Sequence, residues 1–397
     1  MTKSVVLAFS GGLGTIAALH ILRRQFGRNV ITYTANLGQK GSTEAVCERA
    51  IELGAASAHV GDLRQRFLTE FVWPAIRAGA VCESGYALAH ALARPLIVSE
   101  LVRIAREEGA QLIAHGCAGK SNDQVRFEVS AAALGPDIGV LSPLRQQNLL
   151  RRDELFAYCR RHRLPTEVRD CRFSITENLF GTSVQWDRAP DPFAEVPEGV
   201  HQHTRSLDVT PDEPLDLVVS FNHGVPCSID GASAPPIVLI ERLRDLAGEH
   251  GVGRLQTIED RLIGIKMVEV YEQPAATILH TARAALERLV LAPDLARFKG
   301  EISRRYAHLV YQGFWFSELR EALDAFVEKA TRFVTGDVRL RLFKGTCRVT
   351  GVRSRYGLYR QGLAEPTTIG DEFVHGSVPG FLDTISGPIK AGRHDFH

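Results

Sequence analysis

The stretch Phe9-Ser10-Gly11-Gly12-Leu13-Gly14-Thr15-Ile16 decides the fold of the first part of this chain. It follows the apolar run at residues 5–8 and leads into a helix-like pattern at residues 15–24. The first N–H groups of a helix lack intrahelical partners, and the helix dipole favours an anion there. Ser10 adds a hydroxyl donor, and the glycines let the backbone approach a phosphate closely. The sequence therefore predicts a nucleotide-phosphate site between a strand and a helix.

Three kinds of nucleotide loop compete for this stretch. A Walker loop needs G-x-x-x-x-G-K-[ST], but at Gly119-Lys120-Ser121 the first glycine position holds Ala114. A dinucleotide fingerprint fits Gly12-x-Gly14-x-x-Ala17, yet the first acid after the second strand is Glu44, too late to hold a ribose. The third loop, Ser-Gly-Gly-x-x-Thr, belongs to enzymes that split ATP to AMP and pyrophosphate. It uses the serine and both early glycines, so we favour it.

Composition is that of an ordinary globular protein. The 397 residues are 45% hydrophobic and 23% charged, which indicates two or three domains. The formal net charge of +1 gives no support for a nucleic-acid or membrane partner. Seven cysteines form no CxxC pair, which favours reduced thiols and a cytoplasmic location. The arginine pair Arg151-Arg152 is interpreted as part of a solvated helix face.

The first part of the chain alternates strand-like and helix-like segments, which predicts an α/β fold with a parallel sheet covered on both faces. We predict strands at residues 4–9, 30–35, 57–60, 111–115 and 138–141. We predict helices at residues 15–26, 43–53, 62–77, 91–108, 122–134 and 152–162. Ligands bind such sheets at the carboxyl ends of the strands, so the loops after the first, second and fourth strands should line the site.

The pattern changes after Pro165. Loops, a strand pair at 215–221 and 226–229, helices at 236–249 and 276–290, a helical stretch at 296–334 and a strand at 338–342 predict an α+β region. The last 45 or so residues are rich in glycine and proline and predict an extended tail that packs on another subunit. We therefore predict a nucleotide-binding domain at 1–165, an α+β substrate domain at 166–355 and an oligomerisation tail at 356–397.

A polar segment, residues 115–128, closes the fourth strand. Asn122, Asp123 and Arg126 would suit an amino-acid substrate, because a carboxylate can hold an ammonium and a guanidinium can hold a carboxylate. Taken alone, Glu259 and the residues around it are weaker candidates. No paired His, Cys or Asp spacing supports a metal site, and we predict none in the protein itself.

With these stretches in hand, the chain resembles the argininosuccinate synthases over nearly its whole length. The matching blocks are the Ser-Gly-Gly loop and residues 35–39, 92–95, 115–128, 174–179, 250–254, 259–266 and 271–276. The resemblance implies an ATP-pyrophosphatase-type domain and an AMP-forming carbon–nitrogen ligase that joins citrulline to aspartate. It also implies Mg²⁺ on the leaving pyrophosphate, a place in arginine biosynthesis and a homotetramer.

The resemblance also implies residue roles. ATP would be held by Ala8, Ser10, Gly11, Gly12, Gly14, Thr15, Ala35 and Gly116. Citrulline would be held by Tyr86, Ala91, Asn122, Arg126, Ser174, Ser183, Glu259 and Tyr271. Aspartate would be held by Ala118, Asn122 and Asp123, and we expect Asp123 and Arg94 to be the catalytic residues.

The chain departs from the family pattern near these positions. Gly14 replaces an aspartate of the family loop and Ile16 replaces a serine. A citrulline-binding hydroxyl is missing at Ala91, with a bulky imidazole entering at His90, and an aspartate-binding threonine is replaced by Ala118. If Gly14 merely weakens an ordinary synthase, Gly14→Asp should raise turnover.

Two alternatives stay open at this point. The chain could be a paralogue that accepts an amine other than aspartate, or a non-catalytic relative that binds nucleotide or amino acid. A nicotinamide-dependent oxidoreductase is a third possibility, but the second strand lacks the acidic residue that would bind a ribose.

Overall fold

The computed structural model describes residues 4–27, 29–82, 85–117, 119–166, 173–186, 190–364 and 372–391. The chain divides into two compact units, Met1–Tyr356 and Gly357–His397. The first unit holds every strand that the structure describes and is one body. The finer division at residue 165 therefore stays a prediction.

The first sheet contains five parallel strands, β1 (Val5–Ala8), β2 (Val30–Asn36), β3 (Ser57–Asp62), β4 (Leu112–Ala114) and β5 (Gly139–Leu141). Their order is β3-β2-β1-β4-β5, and the predicted parallel sheet is confirmed. Strand β1 pairs with both β2 and β4. The direction of winding reverses there, so the carboxyl ends of β1 and β4 flank the crevice where such sheets bind ligands.

Helices cover both faces of this sheet. They are α1 (Leu13–Phe26), α2 (Thr43–Glu52), α3 (Arg64–Arg66), α4 (Trp73–Ala78), α5 (Ala89–Glu107), α6 (Asn122–Leu134), α7 (Pro143–Gln146) and α8 (Arg152–Arg161), with a π-helical segment, Phe67–Val72, between α3 and α4. Because side chains alternate along a strand, Val5 and Leu7 share a core with Leu19 of α1. Val6 faces the other way and shares the main core with Leu92 of α5.

Two antiparallel sheets follow in the same unit. Their strands are β6 (Phe173–Asn178), β7 (Gly181–Trp186), β8 (Leu215–Asn222), β9 (Val225–Ile229), β10 (Ala232–Ser233), β11 (Arg254–Asp260), β12 (Lys266–Glu272), β13 (Gly336–Phe343) and β14 (Thr346–Arg353). One sheet has the order β10-β9-β8-β13-β14 and the other has the order β11-β12-β7-β6. The expectation of loops in the region after Pro165 was wrong at β6 and β7, and the hairpin of β11 and β12 was not predicted. These strands carry polar side chains that line a cavity, so they lack the apolar alternation that signals a strand.

The remaining helices of this unit are α9 (Pro236–Glu249), α10 (Pro274–Val290), α11 (Pro293–Gln312) and α12 (Glu318–Ala330), as predicted apart from their bounds. Gly313 ends α11 with a φ of 88° and so divides the predicted stretch 296–334 into two helices. Short 3₁₀ turns lie at Glu198–Val200 and Leu207–Val209.

In the second unit, Gly357–His397, the described residues form α13 (Gln361–Ala364), a 3₁₀ turn at His375–Ser377 and α14 (Val378–Ala391). The prediction of an extended tail was therefore wrong for α14. Its apolar residues recur at helical spacing, a period hidden in the sequence by Gly380, Gly387 and Pro388. No helix among the described residues is long and apolar enough to cross a membrane.

Candidate active site

The predicted phosphate loop lies where β1 meets α1. Gly11 adopts a φ of 72°, a left-handed conformation that favours glycine. Gly12 precedes the helix, and its carbonyl accepts the backbone N–H and the hydroxyl of Thr15, both at 3.0 Å. The Ser10 hydroxyl lies 3.5 Å from that of Thr15. The turn thus presents two hydroxyls and the start of a 14-residue helix to the crevice, an arrangement suited to phosphate.

A large cavity of about 860 Å³ opens in front of this loop. Its lining includes Ser10, Gly11, Gly12, Gly14, Thr15, Gly116 and Ser174. Basic side chains from other segments also reach it, namely Arg49, Lys120, Arg151 and Arg152. The interpretation of Arg151-Arg152 as a solvated face was thus incomplete, because both residues also line this cavity. Their positive charge would complement a polyphosphate.

A small cavity of about 30 Å³, with room for about two waters, adjoins the large one. Its lining is almost wholly polar and brings together Tyr86, His90, Arg94, Ser121, Asp123, Arg126, Thr176, Ser183, Gln185, Glu259, Arg261, Glu269 and Tyr271. Ser121, Gln185 and Arg261 line both cavities. The two spaces therefore meet at these three side chains.

An ion triad, Arg94–Asp123–Arg126, forms one wall of the small cavity. The Asp123 carboxylate lies 2.7 Å from Arg94 and 3.0 Å from Arg126. Burial alone would raise the pKa of Asp123, but the two guanidinium groups outweigh burial and hold that pKa well below its usual range. Asp123 is therefore ionised at neutral pH, an anion that can hold an ammonium but that accepts a proton poorly.

Helix α6 places the triad. The Ser121 hydroxyl caps it by accepting the backbone N–H of Asp123 at 3.2 Å. Asn122, the first residue of the helix, is buried: it donates to the Tyr311 hydroxyl at 2.7 Å and accepts from the backbone N–H of Leu262 at 2.9 Å. Arg126 donates to the Tyr311 carbonyl oxygen at 2.9 Å. These bonds fix α6 against the later part of the chain.

A tyrosine–glutamate network forms the opposite wall. The Glu259 carboxylate accepts hydrogen bonds from the hydroxyls of Tyr271 at 2.5 Å and Tyr311 at 2.7 Å. Tyr271 stacks on Tyr86 with ring centroids 4.0 Å apart. Burial raises the pKa of Tyr86 and of Tyr271, so both phenols stay protonated and act as donors.

Arg261 stands at the junction of the two cavities. It is buried, forms an ion pair with Glu269 and lies 3.7 Å from Glu259. Its Nε atom has no hydrogen-bond partner in the described part of the chain. Burial raises the pKa of Glu269 to about 7 in spite of this arginine. Arg261 thus places a guanidinium, paired with two carboxylates, where the two cavities meet.

The remaining predicted site residues are placed differently. Ala91 and Asn122 are buried behind the small cavity and line neither space. Ala8 and Ala35 do not line the large cavity, and the Ala35 carbonyl accepts from the Gln39 side chain at 2.8 Å. Ala118 lies outside the described residues.

Sequence reasoning missed several lining residues: Lys120, Thr176, Gln185, Trp186, Met267 and Glu269. Lys120 lay inside the quoted polar segment, so its position after a glycine turn was an available signal. The others lie on the two unpredicted hairpins, where nothing short of the fold brings them together.

The described residues contain no group of three or more His, Cys, Asp and Glu side chains that could hold a metal ion. A magnesium ion in the large cavity would depend on phosphate oxygens and water for its ligands, as it often does in nucleotide sites.

Fold and site together define a nucleotide-binding α/β protein whose glycine-rich loop adjoins a polar pocket. Residues 4–165 match the family model described as arginosuccinate synthase N-terminal HUP domain, and residues 173–391 match the arginosuccinate synthase C-terminal domain. The chain belongs to the argininosuccinate synthase family.

Curated relatives named argininosuccinate synthase agree over nearly the whole chain. The protein from Dehalococcoides mccartyi is 43% identical, covering 96% of this chain and 94% of its own. The one from Symbiobacterium thermophilum is 44% identical, and the one from a Synechococcus species is 45% identical; each comparison covers 98% of this chain and 97% of the relative.

Proposed function

We propose that this protein is an AMP-forming carbon–nitrogen ligase that joins citrulline to aspartate with ATP. The observation that carries the proposal is the junction of the two cavities at Ser121, Gln185 and Arg261. A phosphate-binding loop lies on one side of it and a polar pocket on the other. A reaction that links a nucleotide phosphate to an amino-acid side chain requires such a junction.

The charges of the small cavity fit a zwitterionic substrate. Three guanidinium groups, from Arg94, Arg126 and Arg261, face three carboxyl groups, from Asp123, Glu259 and Glu269. A ligand with both an ammonium and a carboxylate can exchange partners with such pairs without leaving a buried charge uncompensated. The family membership supports citrulline and aspartate as these ligands.

The proposed reaction has two steps. The ureido oxygen of citrulline attacks the α-phosphorus of ATP, forming an O–P bond as pyrophosphate leaves. The aspartate amine then attacks the ureido carbon, forming a C–N bond as AMP leaves with the oxygen. The amine loses its proton on the way, and the leaving phosphate is the acceptor nearest the new bond, because the low pKa of Asp123 makes it a poor base. Catalysis then rests on positioning and charge neutralisation.

We assign roles from the family resemblance, and the two cavities support those of the lining residues. The phosphates would be held by Ser10, Gly11, Gly12, Gly14, Thr15 and Gly116, and the nucleoside by Ala8 and Ala35. Citrulline would lie against Tyr86, Arg126, Ser174, Ser183, Glu259 and Tyr271, with Ala91 and Asn122 behind them. Asp123 would hold the attacking amine, with Arg94 beside it, and Asn122 and Ala118 would complete the aspartate site. Mg²⁺ would accompany the nucleotide phosphates.

The assembly is part of the same proposal. Phe381, Leu382, Ile385 and Ile389 of α14 are each more than half exposed and share one face of the helix. An apolar helix face of this kind favours association with another protein surface. We infer a homotetramer in the cytoplasm that this face helps to hold together.

A second candidate, a non-catalytic relative that binds nucleotide or amino acid, is favoured by one observation. Gly14 leaves the phosphate loop without an acidic side chain. Family membership argues against the third reading, a nicotinamide oxidoreductase.

Pyrophosphate release tests the proposal. Purified protein with Mg-ATP and citrulline, with and without aspartate, should release pyrophosphate and form argininosuccinate only when aspartate is present. Glu259→Gln should abolish release, and Glu318→Gln, at the exposed start of α12, should leave it unchanged. Release that ignores aspartate would point to another amine. Nucleotide binding without release would favour the non-catalytic reading.

A further inference from the structure

A buried histidine without a partner stands beside the ion triad. His90 is the second residue of α5 and is only 5% exposed. Neither Nδ1 nor Nε2 has a hydrogen-bond partner within the described residues, and the ring lines the small cavity. Buried polar atoms are nearly always hydrogen-bonded in folded proteins, so an exception that faces a cavity points to a missing ligand.

The backbone at His90 is anchored to Tyr86. The His90 N–H donates to the Tyr86 hydroxyl at 3.1 Å, which ties the first turn of α5 to the stacked tyrosines. Burial, followed by the positive charge of Arg94, lowers the pKa of His90 to about 3. The imidazole is therefore neutral at pH 7 and offers one N–H donor and one nitrogen acceptor to the cavity.

The neighbours of His90 indicate which part of a ligand it would meet. Arg94, Asp123 and Arg126 are the charged groups nearest to it, and together they carry one net positive charge. In the free protein the Asp123 carboxylate is paired with the guanidinium groups of both Arg94 and Arg126. When a ligand ammonium takes Asp123, a guanidinium is released for a ligand carboxylate. A donor beside that guanidinium is suited to the same carboxylate.

We propose that His90 selects the attacking amine substrate, by donating a hydrogen bond to its carboxylate and by restricting its length. The inference rests on the proposed function and names the residue that discriminates among amines at that site. Because the imidazole takes up space beside Asp123 on the wall of the small cavity, a short acidic amino acid such as aspartate is favoured over glutamate, and over asparagine because asparagine lacks the second carboxylate.

Equilibrium binding tests the inference without requiring turnover. Dissociation constants for aspartate, asparagine, glutamate and citrulline are measured by calorimetry on the full chain with a non-hydrolysable ATP analogue present. His90→Leu should weaken aspartate binding at least tenfold and leave citrulline binding within about twofold. His90→Gln, which keeps an N–H donor of similar reach, should stay within about threefold of the parent protein for aspartate.

Several outcomes would overturn the proposal. These are an unchanged aspartate affinity in His90→Leu, or an equal loss of citrulline and aspartate. The unaltered protein provides an independent test. If it binds asparagine and aspartate equally well, His90 does not contact the second carboxylate, whatever the variants show. Failure to release pyrophosphate would refute the proposed function alone, since the binding measurements do not depend on chemistry.

Discussion

Gly14 and Gly116 face each other so closely that neither position has room for a side chain. A Cβ atom at Gly14 would lie 2.6 Å from the carbonyl oxygen of Gly116, and one at Gly116 would lie 2.8 Å from the backbone nitrogen of Thr15. Backbone atoms form both contacts, so no flexible side chain can move aside. The glycine at position 14 thus permits the start of α1 to pack against the loop after β4.

This contact reverses the expectation drawn from the sequence for Gly14→Asp. We expect Gly14→Asp and Gly14→Ala both to weaken ATP binding at least tenfold and to destabilise the protein by about 1–3 kcal/mol, as overpacking does. Thermal unfolding and nucleotide titration check this. Gly300→Ala is the control, because a Cβ there meets open space within α11. A gain in turnover for Gly14→Asp would show that the two segments can separate at little cost.

Asp123→Asn should be costly for both stability and activity. It leaves Arg94 and Arg126 buried without their shared anion, and breaking a buried pair costs about 3–5 kcal/mol. The exposed pair Asp294–Arg297 has the same i,i+3 spacing at 2.8 Å. Asp294→Asn should therefore change the free energy of unfolding by less than about 1 kcal/mol. Denaturant titration of both variants compares the two sites, and equal effects would contradict a special role for the triad.

Arg261 should act on the chemical step. Arg261→Lys keeps a positive charge but loses the planar guanidinium group, which can contact Glu269 and the junction of the cavities at the same time. We expect kcat to fall about 100-fold, the usual size of the loss of one electrostatic donor, with little change in KM for citrulline. Arg341→Lys, in the exposed pair with Asp216, should have no effect. A raised KM at constant kcat would assign Arg261 to ground-state binding instead.

The stability of the protein should fall in acid partly through His90. Its pKa is about 3 in the fold and near 6.5 in the unfolded chain, so between these values the unfolded chain binds the extra proton. Stability is therefore full above pH 6.5 and is lost as the pH falls toward 3. Between pH 7 and pH 5 the loss is about 2 kcal/mol for one such group. Urea unfolding of His90→Gln at the two pH values should show a loss smaller by that amount.

The exposed face of α14 should determine the oligomeric state. The double variant Phe381→Asp, Ile385→Asp places two charges on this face and should lower the mass measured by light scattering. Lys390→Glu makes the same change in net charge on the side of α14 opposite Phe381 and should leave the mass unchanged. An unaltered mass in the double variant would remove α14 from the interface.

The parallel sheet could be predicted because β1 and β2 are apolar runs between amphipathic helices, and the phosphate loop could be predicted because glycines and a serine follow β1. The strands β6, β7, β11 and β12 of the two hairpins could not be predicted. Their side chains that face the cavity are polar, so apolar residues do not alternate along these strands as they do in a typical strand. Arg94 and Asp123 are 29 positions apart, and only the packing of α5 against α6 brings them together. The lack of room at Gly14 is likewise a property of two distant segments.

Asn122 bridges the two sequence halves, since its amide donates to Tyr311 and accepts from Leu262. A fragment ending near residue 165 would keep the phosphate loop but could not assemble the amino-acid pocket. The small cavity is therefore built jointly by the two halves, whereas the glycine loop belongs to the first alone. Mutations on either side of residue 165 can therefore reshape the small cavity, while the glycine turn itself is built from the first half alone.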